Sequence, residues 1–377
     1  MFKKSLAAVA VLGAFAGTAL AADVQLYGVI DYGFQYAETD NGVDKAGHKF
    51  EMKDGINSAS RFGLKGVEDL GNGYKVGFVL ENGFHADDGT LNDGKRLFDR
   101  EAHLFVASDW GQLGLGRVGQ LASGNGTYGI FGGSVSPFST GWGNVYGHKS
   151  VMAGSFGRLD NSVTYKSPVF AGVTVYAQYS FKNDTADEGR EGSADVNREY
   201  ALGTTFNAGN LNLVGVVTKT NAESAGLGDV KDPLTVSLGG NYDLGVAKLF
   251  VATQYFKDSK LNVGALQNVN EAKTKHQAEV FDGYGLQVGV NVPVFGGNAK
   301  ALVGYMDAED QATLAVGAKA KDMTRINFSV GYDYPLSKRT FLYTGAGYMQ
   351  DDYDVKVGTN DDSAHSWAVN AGLVHKF

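Results

Sequence analysis

The chain has no cysteine, only 5 prolines in 377 residues, and no long apolar run beyond its N-terminal stretch. Each absence excludes something. Without cysteine there is no disulfide framework, no thiolate metal site and no thiol redox chemistry. Without a second apolar run of about 20 residues, no later segment can cross a bilayer as a helix. Proline is confined to edge strands and bulges, so a chain with so little of it can be paired strand from end to end. Base is outweighed by acid: 33 Lys and Arg against 41 Asp and Glu give a formal net charge of −8, which argues against nucleic acid as a partner.

What is abundant is glycine, at 53 residues, together with 22 Phe, 19 Tyr and 3 Trp. That glycine content is about twice the usual share and suits closely paired, tilted strands with tight turns. Mean hydropathy is −0.17, as expected where apolar and polar side chains alternate. A two-residue period recurs throughout. Residues 367–377 place Trp367, Val369, Ala371, Leu373, His375 and Phe377 on one face. Residues 172–183 set Val173, Val175, Ala177, Tyr179 and Phe181 against Thr174, Gln178, Ser180 and Lys182. Residues 325–334 set Ile326, Phe328, Val330, Tyr332 and Tyr334 against Arg325, Asn327, Ser329 and Asp333. A soluble sheet would have to hide such stripes under another layer, whereas a membrane barrel turns them to lipid. Aromatics sit toward the stripe ends, where an interfacial girdle needs them.

Residues 1–21 read as a signal peptide: Lys3 and Lys4, an apolar run from Leu6 to Phe15, and Ala19-Leu20-Ala21 as the cleavage site. The competing reading, a transmembrane helix, is opposed by the shortness of the run and by strand-like sequence from Val24. Residues 22–377 then form one domain, without a linker. Cleavage would remove two lysines and make the chain more acidic.

The periodicity predicts strands at 23–37, 57–70, 73–86, 95–108, 111–118, 159–168, 171–183, 197–207, 210–221, 233–243, 246–258, 279–292, 297–309, 323–334, 339–351 and 363–377. These make sixteen, an even number, as a closed antiparallel barrel requires. Connections alternate in length. Short ones such as Gly71-Asn72, Asp109-Trp110 and Ala208-Gly209 follow even strands, and long ones near 38–56, 87–94, 119–158, 184–196, 222–232, 259–278, 310–322 and 352–362 follow odd strands. Outer-membrane barrels have that asymmetry, and a sandwich has no reason for it. The expected class is all-β, a sixteen-stranded antiparallel transmembrane barrel. The longest loop, 119–158, carries Tyr128, Phe131, Phe138, Trp142 and Tyr146. Disorder is one reading of so long a loop; its aromatics favour a segment that folds into the barrel and narrows it.

At this point particular residues carry a resemblance. An opening Leu26-Tyr27-Gly28-Val29-Ile30-Asp31 is followed by the hairpin Ser60 to Phe84 (SRFGLKGVEDLGNGYKVGFVLENGF). Leu97-Phe98-Asp99-Arg100, Leu113-Gly114-Leu115-Gly116-Arg117 and the terminal Gly372-Leu373-Val374-His375-Lys376-Phe377 come next. In order and spacing the chain resembles the general diffusion porins of Gram-negative bacteria, of the beta-proteobacterial type. The resemblance implies a homotrimer of sixteen-stranded barrels in the outer membrane, in contact with lipid and lipopolysaccharide. It implies that the third long loop, here 119–158, forms an inward constriction, and that the barrel-assembly machinery reads a final phenylalanine, here Phe377. It implies wall bases facing loop acids, and carries Arg61, Lys65, Lys75 and Arg100 over as the wall bases. Alternation agrees for Arg61, Lys65 and Lys75, and gives Asp31 and Glu81 the same inward parity. An inward Arg100 would turn Glu101 and His103 outward, toward a protein partner rather than lipid. The chain departs from the pattern in one respect. Between Val118 and Leu159 it has no Asp or Glu, while Arg117 adjoins the loop and Tyr128, His148, Lys149 and Arg158 fall within it.

Signals for other chemistry are thin. Gly114-Leu115-Gly116-Arg117-Val118-Gly119 and Gly124-Asn125-Gly126-Thr127-Tyr128-Gly129 match a nucleotide-loop pattern, but neither opens a helix in a βαβ unit. The 7 histidines form no i, i+4 pair, and there is no Gly-x-Ser-x-Gly elbow, so nothing marks an enzyme. Acids at 184–191 and at Asp351, Asp352, Asp354, Asp361 and Asp362 read as solvated loops, or as loop sites for Ca²⁺ or Mg²⁺. The function expected is a water-filled channel for small hydrophilic solutes and ions, moved by their gradients. The base-bearing, acid-free loop predicts a preference for anions. A substrate-specific channel and a closed adhesive or structural barrel are the alternatives.

Overall fold

The computed structural model describes residues 24–40, 47–154, 156–185, 189–193, 196–222, 231–261, 280–311, 322–353 and 363–377. The segment 1–21 and Asp354, Asp361 and Asp362 lie outside them. The strands are β1 (Gln25–Asp40), β2 (Gly47–Asp54), β3 (Arg61–Gly71), β4 (Tyr74–Gly83), β5 (Glu101–Ser108) and β6 (Gly111–Gly119). Within the long loop come a helical turn, α1 (Gly132–Val135), then β7 (Gly141–Trp142), β8 (Val145–Tyr146) and a 3₁₀ turn (His148–Val151). The wall resumes with β9 (Arg158–Lys166), β10 (Val173–Ser180), β11 (Arg198–Ala208), β12 (Leu211–Asn221), β13 (Leu234–Asp243) and β14 (Lys248–Ser259). It ends with β15 (Phe281–Val294), β16 (Gly297–Asp310), β17 (Asp322–Pro335), β18 (Thr340–Tyr353) and β19 (Ser363–Lys376).

All pairings in the wall are antiparallel, and β1 pairs with β19 from Val29↔Lys376 to Asp40↔His365, which closes the barrel. The sheet has 17 strands but 16 staves, because β2 and β3 are successive parts of one stave. β1 pairs with β2 over 32–39 and with β3 over 25–29. The sequence places a loop at 38–56, yet its second half is strand. The turn at β3–β4 needs left-handed backbone at Gly71 (φ 79°), Asn72 (φ 51°) and Gly73 (φ 80°), which glycine and asparagine adopt at least cost.

The alternation sorts side chains by face. Leu26 is 63 % exposed, Phe34 54 %, Leu202 65 % and Phe328 50 %, all on the outer surface. A belt of that size has no place in water and marks a lipid-facing wall. Tyrosines pair across strands within it, Tyr179 with Tyr200 at 4.8 Å and Tyr284 with Tyr305 at 6.4 Å between ring centres. Among the described residues no helix is long and apolar enough to cross a membrane.

Inside, the loop between β6 and β9 lies against the wall as a lining. Its backbone is held by inward polar side chains: Asn241 Nδ2 donates to Ser134 O (2.8 Å), Gln287 Nε2 to Val135 O (2.8 Å) and Asn370 Nδ2 to Trp142 O (2.8 Å). Tyr146 N donates to Ser329 Oγ (2.8 Å) and Ala153 N to Gln254 Oε1 (2.7 Å). The largest fully buried side chain among the described residues is that of Arg325, 1 % exposed, which donates to both carboxylate oxygens of Asp351 (2.5 and 2.8 Å) and to Ser150 O (2.9 Å).

Wall glycines make room for this lining. A Cβ on Gly239 would come 2.7 Å from Val135, and one on Gly331 2.7 Å from Phe138 and 2.9 Å from Trp142. The glycine content is thus partly a groove cut for the loop.

Candidate functional site

The loop leaves one side of the lumen open. There a cavity of about 840 Å³ lies between the loop segments 124–126 and 137–143 and the wall residues Arg61, Glu81, Arg100, Lys300 and Asp333. Arg61 leads β3 and Glu81 lies near the end of β4, where the inward faces of paired strands coincide. Arg100 Nε donates to Glu81 Oε1 at 2.7 Å, and Arg61 Nε lies 3.5 Å from Oε2 of the same carboxylate. Two guanidinium groups therefore share one acid, with a surplus of positive charge. Arg158, expected in the loop but in fact the first residue of β9, donates from Nε to Arg100 O (2.5 Å) and adds a third guanidinium. Lys300 and Asp333 pair at 2.8 Å, with the lysine also on Pro137 O (3.2 Å) and 5.0 Å from the Trp142 ring centre.

A second inward element was not legible as such. Residues 55–60 break the stave between β2 and β3 and fold into the lumen, with Ile56 2 % exposed against Phe138 and Trp142. Asp31 anchors it: Asn57 N (2.6 Å) and Ser58 N (2.7 Å) donate to one carboxylate oxygen, and Tyr343 Oη (2.7 Å) donates to the other. Asp31 is thus inward, as parity predicts, but fully buried as a bracket and not presented to the cavity. The lost alternation of Asn57-Ser58-Ala59-Ser60 was the available signal.

The other sequence candidates divide. Arg61, Glu81 and Arg100 come together at the cavity, and Arg158 stands behind them on the Arg100 carbonyl without lining it. Lys65 and Lys75 do not line it: both are exposed further toward the short-turn rim, with Lys65 Nζ 5.2 Å from the Tyr27 ring centre. Arg117 lies in β6, not in the loop, and its guanidinium binds Asp160. Arg96 joins that cluster through Asp93 (2.7 Å), Asp160 (3.0 Å) and Asp184, and the bond to Asp93 holds its pKa above the usual guanidinium value. Tyr128 and His148 are completely buried within the lining. His148 sits between Phe131 and Phe156 with Nδ1 2.8 Å from Ser139 O, and burial lowers its pKa to about 4. Burial also lowers that of Lys149, with Arg158 adding to the effect. Of the acids expected as loop cation ligands, Asp351 is taken up by Arg325, and Asp352 accepts from Gln350 Nε2 at 2.8 and 3.0 Å.

The expectation that Glu101 and His103 point outward is corrected. Glu101 accepts from Thr127 N (2.7 Å), and His103 lies 5.6 Å from the Tyr128 ring, both on the lumenal face. Residues 95–100 are not strand and β5 begins at Glu101, so the two-residue period does not run back to Arg100. Phe377 follows β19 and exchanges backbone hydrogen bonds with Gly28 (3.1 Å each way) at the closing seam.

This geometry can be set beside known proteins. A family profile described as Gram-negative porin matches residues 7–354. The chain belongs to that family. It is 33 % identical over 406 aligned residues to an outer membrane porin of Bordetella pertussis, covering 100 % of both chains. Among solved structures, an anion-selective porin from Comamonas acidovorans superposes with TM-score 0.68 at 23 % identity, over 95 % of this chain and 100 % of that one. An outer-membrane protein of Vibrio cholerae in its trimer form gives TM-score 0.60 at 17 % identity, over 95 % and 100 %. This porin is an outer-membrane channel and not an enzyme, and its place is the outer membrane of a Gram-negative cell. The fold is consistent with a homotrimer.

Proposed function

We propose that this porin is a general diffusion channel with a preference for anions, working as a homotrimer. The observation that carries the reading is the sharing of Glu81 by Arg61 and Arg100 at the edge of the open cavity. One carboxylate cannot neutralise two guanidiniums, and Arg158, bonded through Nε to the Arg100 carbonyl, sets a third guanidinium beside them. The loop segments opposite, 124–126 and 137–143, carry no acid to cancel the surplus. In a narrow lumen with low-dielectric walls, a fixed positive charge lowers the barrier for anions and raises it for cations. The solutes would be small hydrophilic molecules and ions. Phe377 would serve as the signal for barrel assembly, and the outer belt would meet lipid and lipopolysaccharide.

The test is the zero-current potential of single channels in a planar bilayer under a KCl gradient. Wild type should be anion-selective, and replacing Arg61 and Arg100 by Ala together should move the potential toward, or past, zero. A cation-selective wild type would sink the charge argument while leaving the channel intact. Saturable block by one solute and not by its chemical neighbours would favour a substrate-specific channel instead. Migration as a monomer on a gel of unboiled sample, with the barrel still folded, would count against the trimer.

A further inference from the structure

We infer that Asp54, His85 and Asp87 form a binding site for a divalent transition-metal ion of the Zn²⁺ type on the long-loop rim. The site uses the residue where β2 stops and the tight loop that follows β4. One ligand atom from each of the three side chains lies within 4.8 Å of the other two. His85 Nδ1 and Asp54 Oδ1 are 3.4 Å apart. Two ligands of a tetrahedral ion with bonds of about 2.1 Å stand roughly 3.4 Å apart, so this edge needs no rearrangement to accept one.

The frame around the three side chains is fixed. His85 N donates to Thr90 O (2.8 Å), Gly89 N to His85 O (2.8 Å), and Phe84 bridges to Leu91, which closes the loop 85–90 on itself. The second oxygen of Asp54 accepts from Ala86 N at 3.2 Å, which orients the carboxylate and leaves Oδ1 turned to the imidazole. Entry is open, since the His85 side chain is 45 % exposed and Asp87 is exposed.

Charge and ligand type select the ion. A surface hydrogen bond between His85 and Asp54 would need only one acid, and a second carboxylate beside it adds like-charge repulsion. A dication turns that repulsion into attraction. An imidazole nitrogen suits Zn²⁺, Cu²⁺ or Ni²⁺, whereas Ca²⁺ and Mg²⁺ take oxygen ligands almost exclusively. Three protein ligands leave a fourth position to water, so the ion is exchangeable and not buried as a structural one would be. Its effect on the barrel follows from its place. Asp54 is one residue before Gly55, where the chain leaves the wall for the lumen, and Gly55 N donates to Asp31 O (3.0 Å). A bound ion would fasten the 85–90 loop to the outer end of the inward segment 55–60.

The experiment is calorimetric titration of ZnCl₂ into EDTA-treated, dialysed native protein in detergent, for wild type, His85→Ala, Asp87→Asn and the control His48→Ala. The expected result is one Zn²⁺ per chain in wild type and in the control. That site should be lost in His85→Ala and weakened about tenfold or more in Asp87→Asn. Millimolar CaCl₂ should not compete. Zn²⁺ should also raise the melting temperature of wild type but not of His85→Ala. Because Asp87 is exposed, Asp87→Asn keeps the test open should His85→Ala fail to fold. Absence of Zn²⁺ binding in wild type, equal binding in His85→Ala or Asp87→Asn, or displacement by Ca²⁺ would each overturn the inference.

Discussion

Along β10 to β14 the inner wall carries Tyr176, Ala201, Val214, Val216 and Ala252, and the loop covers them with Leu121, Tyr128, Phe131, Val135 and Phe156. Along β3 and β4 it carries Arg61 and Glu81, which line the cavity of about 840 Å³. The first region is a small hydrophobic core built inside a pore, and the second is a polar channel edge. Each fully buried Leu or Phe contributes about 1.5–3 kcal/mol, so the dry side is strong enough to fix where the loop lies. The bore is then whatever the loop leaves uncovered. Position comes from one side of the lumen and selectivity from the other, and the two should fail separately.

The largest failure should come from the buried ion pair Arg325–Asp351, which holds the loop at β17 and β18. Arg325→Ala leaves Asp351, itself fully buried, without its counter-ion, and removal of one partner from such a pair costs about 3–5 kcal/mol. Ser150 O also loses its donor, so the loop should come away from β17. The expected readout is a lower heat-denaturation temperature together with noisier, larger single-channel steps. Arg325→Met with Asp351→Leu should restore much of the stability, because that pair leaves no charge behind. Quiet wild-type steps from Arg325→Ala would show that the apolar packing alone holds the loop.

Next in size is an acid response centred on His148. An unfolded histidine titrates near 6.5, and burial holds this one at about 4. Between those values the unfolded chain binds more protons than the folded one, so stability rises with pH through that window. The contribution is complete above roughly pH 6.5 and declines as pH falls toward 4, by a total on the order of 3 kcal/mol. Lowering pH from 7 to 4 should therefore loosen the lining and bring flickering. His148→Gln should flatten that response in single-channel records, and an unchanged response would place the acid sensitivity elsewhere.

How much of this was readable from the chain depends on the side of the wall. Outer faces were legible, because lipid demands an unbroken alternation: Ile326, Phe328 and Val330 face out and Arg325, Asn327 and Ser329 face in, as their spacing predicts. Inner faces were legible only where they meet water. Val214, Val216 and Ala252 break the polar-inside rule because they face another part of the protein, and no local pattern announces that. Glycines such as Gly239 and Gly331 read as turn or strand-packing residues, although their lack of a side chain serves the loop. The irregular stretches 55–60 and 95–100 defeated parity altogether, and with them went the facing of Glu101 and His103. Arg61 and Glu81, whose spacing gives them inward parity, line the cavity.

On the wet side, Glu81→Gln should sharpen the preference that it now moderates. The substitution keeps the shape and removes the one carboxylate shared by Arg61 and Arg100. A unit charge about 4 Å away is worth about 1 kcal/mol even at the dielectric of water, so the anion-to-cation permeability ratio should rise several-fold. The zero-current potential under a KCl gradient measures it directly. A fall in the ratio would mean that Glu81 chiefly orients the guanidiniums, and that freeing them lets them turn out of the path.

The smallest effect should come from Lys65→Ala and Lys75→Ala. Both bases have lumenal parity and are exposed, and on sequence alone they rank with Arg61. Their distance sets them apart. Lys65 lies four residues along β3 from Arg61, about 13 Å at the rise of an extended strand, and Lys75 is still further from Glu81 along β4. At physiological ionic strength exposed charges are screened within about 8 Å, so neither lysine contributes much at the cavity. The potential of the double variant should match wild type at 0.15 M KCl and drift from it only in dilute salt, where the screening length grows to about 30 Å. If the double variant loses selectivity at ordinary salt, the lumen is read by its whole basic ladder and not by the narrow edge at Arg61, and the division between the two sides gives way to a longer filter.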